Sequence, residues 1–164
     1  MNKINLLFIS CLVLLLSFSC SSVSEETNTE SLTTDYVIPE AKQIEIDILK
    51  LINDYRIIEG LQTLDTLAII KSQTYSHTEY MIKTNDVSHT NFPERKNFLN
   101  ERAGAKKVSE NLAFGYSSAE SVVNGWINSD SHRGAIEGDY THFEVSAEQD
   151  ANGYWYFTNI FVKK

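Results

Sequence analysis

Helical spacing runs from Pro39 to Ser129 and strand signals fill the remainder, an order that predicts an α+β fold over alternating α/β. Three observations carry this reading. Ile44, Ile48, Leu51, Ile52 and Tyr55 recur on one face of a 3.6-residue period. Tyr154 to Val162 is nearly continuous in apolar and aromatic residues, the signature of a strand buried on both faces. Asn152-Gly153, just before it, is a hairpin signal because both residues tolerate positive φ. A strand with no polar side needs helices above and below its sheet.

The elements follow in order. Pro39 suits the first turn of a helix reaching Ile58 and stopped near Gly60. Thr63 or Asp65 is expected to cap a second helix, whose stripe of Leu67, Ile70, Thr74, His77 and Met81 ends near Asn85. Pro93 and Glu94 open a third helix, through Phe98 to Ala103, closed by Gly104. Residues 106–115 read as a short strand or extended loop. Ser118-x-x-Ser121 precedes a fourth helix carrying Val122, Val123, Trp126 and Ile127 and ending near Ser129. Phe143, Val145 and Ala147 alternate with polar residues as a strand.

Residues 1–19 read as an export signal. Lys3 makes the start basic, and Leu6 to Phe18 is an apolar run too short to span a bilayer. The stretch Leu16-Ser17-Phe18-Ser19-Cys20 resembles a bacterial lipoprotein signal, with Ser17 where that pattern prefers Leu. The resemblance implies lipid on Cys20 and a mature chain starting there. Cleavage would remove Lys3 and Cys11, leaving Cys20 as the single cysteine and no internal disulfide. Residues 20–38, polar, acidic and Ser/Thr-rich, read as a lipid-attached tether, and 39–164 as one domain. The chain of 164 residues is long enough for one core. Its 14 Lys+Arg against 22 Asp+Glu give a net charge of −8, a field that repels phosphate backbones and excludes nucleic acid as the expected partner. A monomer is expected.

No G-x-S-x-G elbow, H-E-x-x-H helix, P-loop or G-x-G-x-x-G fingerprint occurs. Four histidines and a few carboxylates remain as candidates, each with a plain reading beside a functional one. His89, in Asp86-Val87-Ser88-His89, is a solvated loop residue or a ligand-facing one. Glu110, in Ser109-Glu110-Asn111-Leu112-Ala113-Phe114-Gly115, is a surface or capping carboxylate or a site acid. His132 lies near the end of the fourth helix and either binds its last carbonyls or faces a cleft. His77 reads as a satisfied core residue, and His142 as structural.

The order of these pieces resembles the CAP superfamily (cysteine-rich secretory, antigen 5, pathogenesis-related 1; SCP domain) in its short bacterial form. The carriers are Leu51-Ile52-Asn53-x-Tyr55-Arg56, Gly60-Leu61-x-x-Leu64, Ser76-His77-x-x-x-Met81, Ser88-His89, Arg102-Ala103-Gly104, Glu110-Asn111-Leu112-Ala113-x-Gly115 and Val122-Val123-x-x-Trp126-x-x-Ser129-x-x-His132-Arg133. The resemblance spans about residues 41–164 and implies a three-layer α-β-α sandwich. It implies a cleft built from His89, Glu110 and His132, with Ser129 where the family places a second Glu. Ser109 replaces the Gly before the family Glu, and Glu144-Val145-Ser146 replaces a Gly-x-Gly, putting the Glu144 carboxylate where backbone is normally bare.

Two imidazoles and a carboxylate suit a divalent metal such as Zn²⁺, with Ca²⁺ a second option; three ligands leave one position open. Without metal the same groups bind a polar or anionic ligand, best when the histidines are protonated. No activated nucleophile is identifiable, and no thiol remains if Cys20 carries lipid. The expected function is therefore an extracytoplasmic, non-catalytic binding module for a small molecule, sterol, lipid or metal, tethered to the bacterial envelope through Cys20 or secreted. A metal-dependent hydrolase or peptidase using the same cleft is the alternative.

Overall fold

The computed structural model describes residues 36–164; the signal, Cys20 and nearly all of the tether expected from the sequence lie outside the described residues. Helix α1 (Gln43–Ile58) begins four residues after Pro39, because Lys42 is still extended at φ −80° and ψ 156°. Glu45 starts it: its carboxylate accepts from the Lys42 backbone N–H at 2.8 Å, filling one of the orphan donors of the first turn. Ile48 and Ile52 point into the core.

Neither expected cap starts the second helix, a correction to the sequence reading: Asp65 lies in a strand and Thr63 just before it. β1 (Asp65–Thr66) pairs in parallel with β3 (His142–Gln149), and α2 (Ala68–Thr84) starts only after Leu67. The Asn53 side chain clasps Leu64 on both sides, at 3.0 Å and 2.9 Å, and holds that short strand in place. Helix α3 (Phe92–Ala103) carries Pro93 in its first turn and ends on Gly104 at φ +67°, as expected. β2 (Lys107–Phe114) follows. Ser118 and Ser121 cap α4 (Ala119–Ile127) reciprocally, each accepting the other's backbone N–H. The fourth helix ends near Ser129, as expected, but a further helix the sequence reading did not include, α5 (Asp130–Ile136), starts straight after it.

β3 and β4 (Trp155–Lys163) form the expected hairpin, but through five residues rather than a two-residue turn. Gly153 alone takes positive φ, at +83°. The Asp150 carboxylate accepts from the backbone of Asn152 and of Tyr154, each at 2.9 Å, and supplies the turn chemistry.

The sheet order is β1-β3-β4-β2, so β4 is interior and flanked by antiparallel partners. Phe157 and Phe161 of β4, with Phe143, Val145 and Ala147 of β3, pack against α1, α4 and α5. Ile160 and Val162 of β4 pack on the other face, with Ile70 of α2 and Leu99 of α3. Both faces of β4 are therefore covered, which is why Tyr154–Val162 has no polar alternation. The result is the predicted α+β, three-layer α-β-α sandwich.

β1 covers only the first two residues of β3, leaving the rest of that edge open. Two side chains take the place of the missing strand. Lys71 Nζ of α2 donates to Val145 O at 2.8 Å, and Glu45 Oε1 of α1 accepts from Ala147 N at 2.8 Å. The two side chains pair at 2.7 Å and are both buried, so one ion pair ties the two helical layers around the sheet edge. Removing one partner of such a pair strands a buried charge. Lys71→Met should cost about 3 kcal/mol or more in urea unfolding, and Glu45→Gln with Lys71→Met should cost less than the two single losses added. Strictly additive losses would show that the two side chains are not coupled.

Candidate functional site

Adjacent residues of β2 point to opposite faces of the sheet, and β2 is an edge strand. Glu110 faces the α2/α3 layer. Its side chain is 1% exposed, and both oxygens meet the guanidinium of Arg95 on α3: Nε to Oε2 at 2.9 Å and Nη2 to Oε1 at 2.8 Å. A bidentate fork of this kind is among the strongest hydrogen-bonded ion pairs. Arg95 also donates to Thr90 O at 2.8 Å and lies 5.9 Å from the centre of the Phe92 ring. It thus fixes a buried carboxylate and the preceding loop together.

That loop carries His89. The Asn85 and Asn91 backbones bracket it at φ +50° and +60°, left-handed conformations that Asn tolerates. His77, buried on α2 as the sequence predicts, meets Ser88 O through Nε2 at 2.9 Å and pins the loop to the helix. Burial lowers the His77 pKa, so the neutral ring is the resting form. His89 itself is 56% exposed, with Nδ1 at 2.9 Å from Glu110 Oε1. A carboxylate oxygen that accepts from Arg95 can only accept again, so Nδ1 is the donor and Nε2 is left with no partner among the described residues.

His132 approaches from the other layer. Its position is a correction to the sequence reading: it lies inside α5 rather than at the end of the preceding helix. Ser129 is the N-cap residue of α5, and its Oγ lies 2.9 Å from His132 Nδ1. The backbone carbonyl of His132 accepts from Asn111 Nδ2 at 2.9 Å, which sets α5 against the residue next to Glu110. Burial lowers the His132 pKa, and the nearby His89 ring lowers it further. The two imidazoles therefore sense each other, one from each side of the β2 edge. Among the described residues the His142 ring meets only its neighbour Thr141, at 2.8 Å, and stands apart.

The divalent ion implied by the sequence resemblance does not fit this arrangement. Among the described residues no group of three or more His, Cys, Asp and Glu side chains is placed to hold a metal. Both oxygens of Glu110 are engaged by Arg95, so a cation beside them would face a guanidinium. Arg95 is absent from every motif quoted above. The helical register could have found it, since it lies four residues before the buried Leu99. Glu144 is neither on the surface nor in the cleft. It is buried on β3, which β4 separates from β2, and faces the α2 layer.

Helices on both faces of a mixed four-stranded sheet make a CAP/SCP-type sandwich, of the kind found in extracellular proteins. The chain belongs to the cysteine-rich secretory protein (CAP) family, whose model matches residues 49–161. It is 32% identical over 124 residues to the "Uncharacterized membrane protein YlbC" of Bacillus subtilis (strain 168), across 73% of this chain and 34% of that one. The chain thus spans about a third of that relative's length. Among solved structures, an outer surface protein from Borrelia burgdorferi superposes with a TM-score of 0.69 at 20% identity, over 79% of this chain and 98% of that one. An extracellular SCP-domain protein from Bacillus anthracis gives 0.64 at 23% identity, over 73% of this chain and 40% of that one. A cysteine-rich secretory protein from Staphylococcus aureus gives 0.59 at 18% identity, over 76% and 41%. At these identities the likeness is one of fold. Among the described residues no helix is long and apolar enough to cross a membrane.

Burial pushes the Glu144 pKa up from 4.5 to about 7, against the pull of Lys71. The folded state then holds a proton that the unfolded chain has lost between pH 4.5 and 7, so this contribution is full below pH 4.5 and lost as pH rises through 7. Glu144→Gln should remove that loss. Between pH 4.5 and pH 8 the parent should lose about 2–3 kcal/mol relative to the variant in urea titrations. Parallel stability curves would show that Glu144 ionises normally.

Proposed function

We propose that this chain is an extracytoplasmic, envelope-tethered binding module whose β2-edge cleft takes an anionic or polar group, either on a small molecule or on a lipid headgroup. One observation carries the reading. Glu110, the carboxylate beside His89, is occupied by Arg95, while His89 and His132 each keep Nε2 without a partner among the described residues. Two imidazoles without a free carboxylate or an activated nucleophile suit recognition better than bond cleavage. The metal-dependent hydrolase expected as the alternative would need Glu110 as ligand or base, and Arg95 competes for both roles.

The location is supported by residues 1–19 and Cys20, by the membrane-protein name of the Bacillus subtilis relative, and by the outer-surface and extracellular names of the structural neighbours. Lipid on Cys20 would hold the cleft near a bilayer, and Ser129, beside His132, would add a hydroxyl to the binding face.

Protonated imidazole attracts an anion, so binding should strengthen as pH falls and the rings charge. Because burial lowers the His132 pKa, the gain should continue as its ring charges at more acid pH. Inorganic phosphate titrated into the full chain at pH 6 should shift the His89 and His132 ring resonances together and saturably. At pH 8 the affinity should fall about tenfold or more. Parallel sedimentation with phosphatidylcholine vesicles, with and without phosphatidylglycerol, separates a bilayer headgroup from a soluble ligand. Ring resonances that ignore phosphate, or peptide or ester hydrolysis abolished by His89→Ala, would overturn the reading.

A further inference from the structure

We propose that Arg95 is the resident cation of this site, standing where a divalent metal would otherwise sit, and that Glu110 is a positioning residue for His89 rather than a metal ligand. The inference stands on geometry and holds whether or not phosphate binds. Arg95 and Glu110 are both buried and share two hydrogen bonds, at 2.9 Å and 2.8 Å. A third bond, to Thr90 O at 2.8 Å, and the Phe92 ring fix the guanidinium from behind. Arg95 cannot swing away without stranding a buried carboxylate, and a divalent ion at Glu110 would meet a positive charge at hydrogen-bond range.

The charge count agrees. The ionised groups here are one carboxylate and one guanidinium, which already sum to zero, while the remaining donors, His89, His132 and Ser129, are neutral when unprotonated. A divalent ion would add two uncompensated positive charges. Glu110 is left to orient the ring: it accepts from His89 Nδ1 at 2.9 Å and so presents Nε2 outward in a fixed tautomer.

Zinc chloride alone is the probe, titrated calorimetrically into the full chain at pH 7. The parent should show no saturable site that His89→Ala removes. Arg95→Met keeps the apolar stem, frees Glu110, and should raise zinc affinity about tenfold or more; adding His89→Ala to it should abolish the gain. Arg95→Lys keeps the charge and should behave as the parent. Ring ¹⁵N shifts supply a second readout: the parent's His89 should be the Nδ1–H tautomer, and a folded Glu110→Ala variant should lose that preference. A parent chain that binds zinc through His89 overturns the proposal, as does a folded Arg95→Met with no gain. Should Arg95→Met fail to fold, the parent and Arg95→Lys still decide, since zinc held through His89 by either one sinks the proposal.

Discussion

A carboxylate can be buried beneath an exposed imidazole only if a cation lies against it. Removing Glu110 from water carries a desolvation penalty of several kcal/mol, and unpaired it would protonate or open the structure. Arg95 offsets that penalty with the one side chain that offers two parallel N–H groups at carboxylate spacing and a third for a backbone carbonyl. That single contact joins α3, the loop before it and the β2 edge strand. His89 rides on the result: the loop is held by Arg95 at Thr90 and by His77 at Ser88, so the ring is pre-placed despite its exposure. The loop and the ring are thus fixed in both backbone and tautomer, which would reduce the ordering cost of any ligand bound there.

The same logic governs both edges of the sheet. Exposed strand edges invite pairing with another chain, and a four-stranded sheet has two of them. Along β3 the edge is closed by Glu45 and Lys71, which satisfy one backbone N–H and one C=O and each other. Along β2 the edge is overlaid by the His89 loop on one face and α5 on the other. The first edge commits a buried ion pair to structure. The second uses a buried ion pair to hold up a histidine. Two charged pairs thus stand at opposite edges of one sheet, one tying its helical layers together and one holding up an exposed histidine.

Much of this architecture is legible in the sequence, and the exceptions share a cause. The unbroken apolar run of β4, the stripe of α1, the serine cap of α4 and Gly104 all state their role locally, through period or φ, and each matches the fold. His77 announces itself by lying on an apolar stripe. β1 has two residues and exists only because β3 offers a parallel partner, which no local pattern encodes. α5 goes unseen in the sequence because Ser129 and Asp130 read equally well as a helix end or as a new start. The hairpin is longer than its signal because Asn152-Gly153 marks a shorter turn, while Asp150 supplies the actual bonds. Arg95 escapes a sequence reading for a deeper reason. A basic residue in a charged helix looks solvated, and its burial depends on a carboxylate fifteen positions away on another element.

Residues far apart along the chain become one statement in three dimensions. Ser129 stands where the resemblance places a second carboxylate, and Arg95 neutralises the first. Either feature alone would leave a site of awkward charge. Serine without Arg95 leaves one carboxylate and two imidazoles, a set that still attracts a divalent ion. Arg95 with two carboxylates leaves an excess negative charge beside the histidines, which would repel an anion and raise their proton affinity. Together they give an electrically neutral floor under two imidazoles, and on such a floor the imidazoles' own protonation sets the sign of the cleft. Under the reading proposed above, charge at this edge would follow the surrounding pH rather than a bound ion.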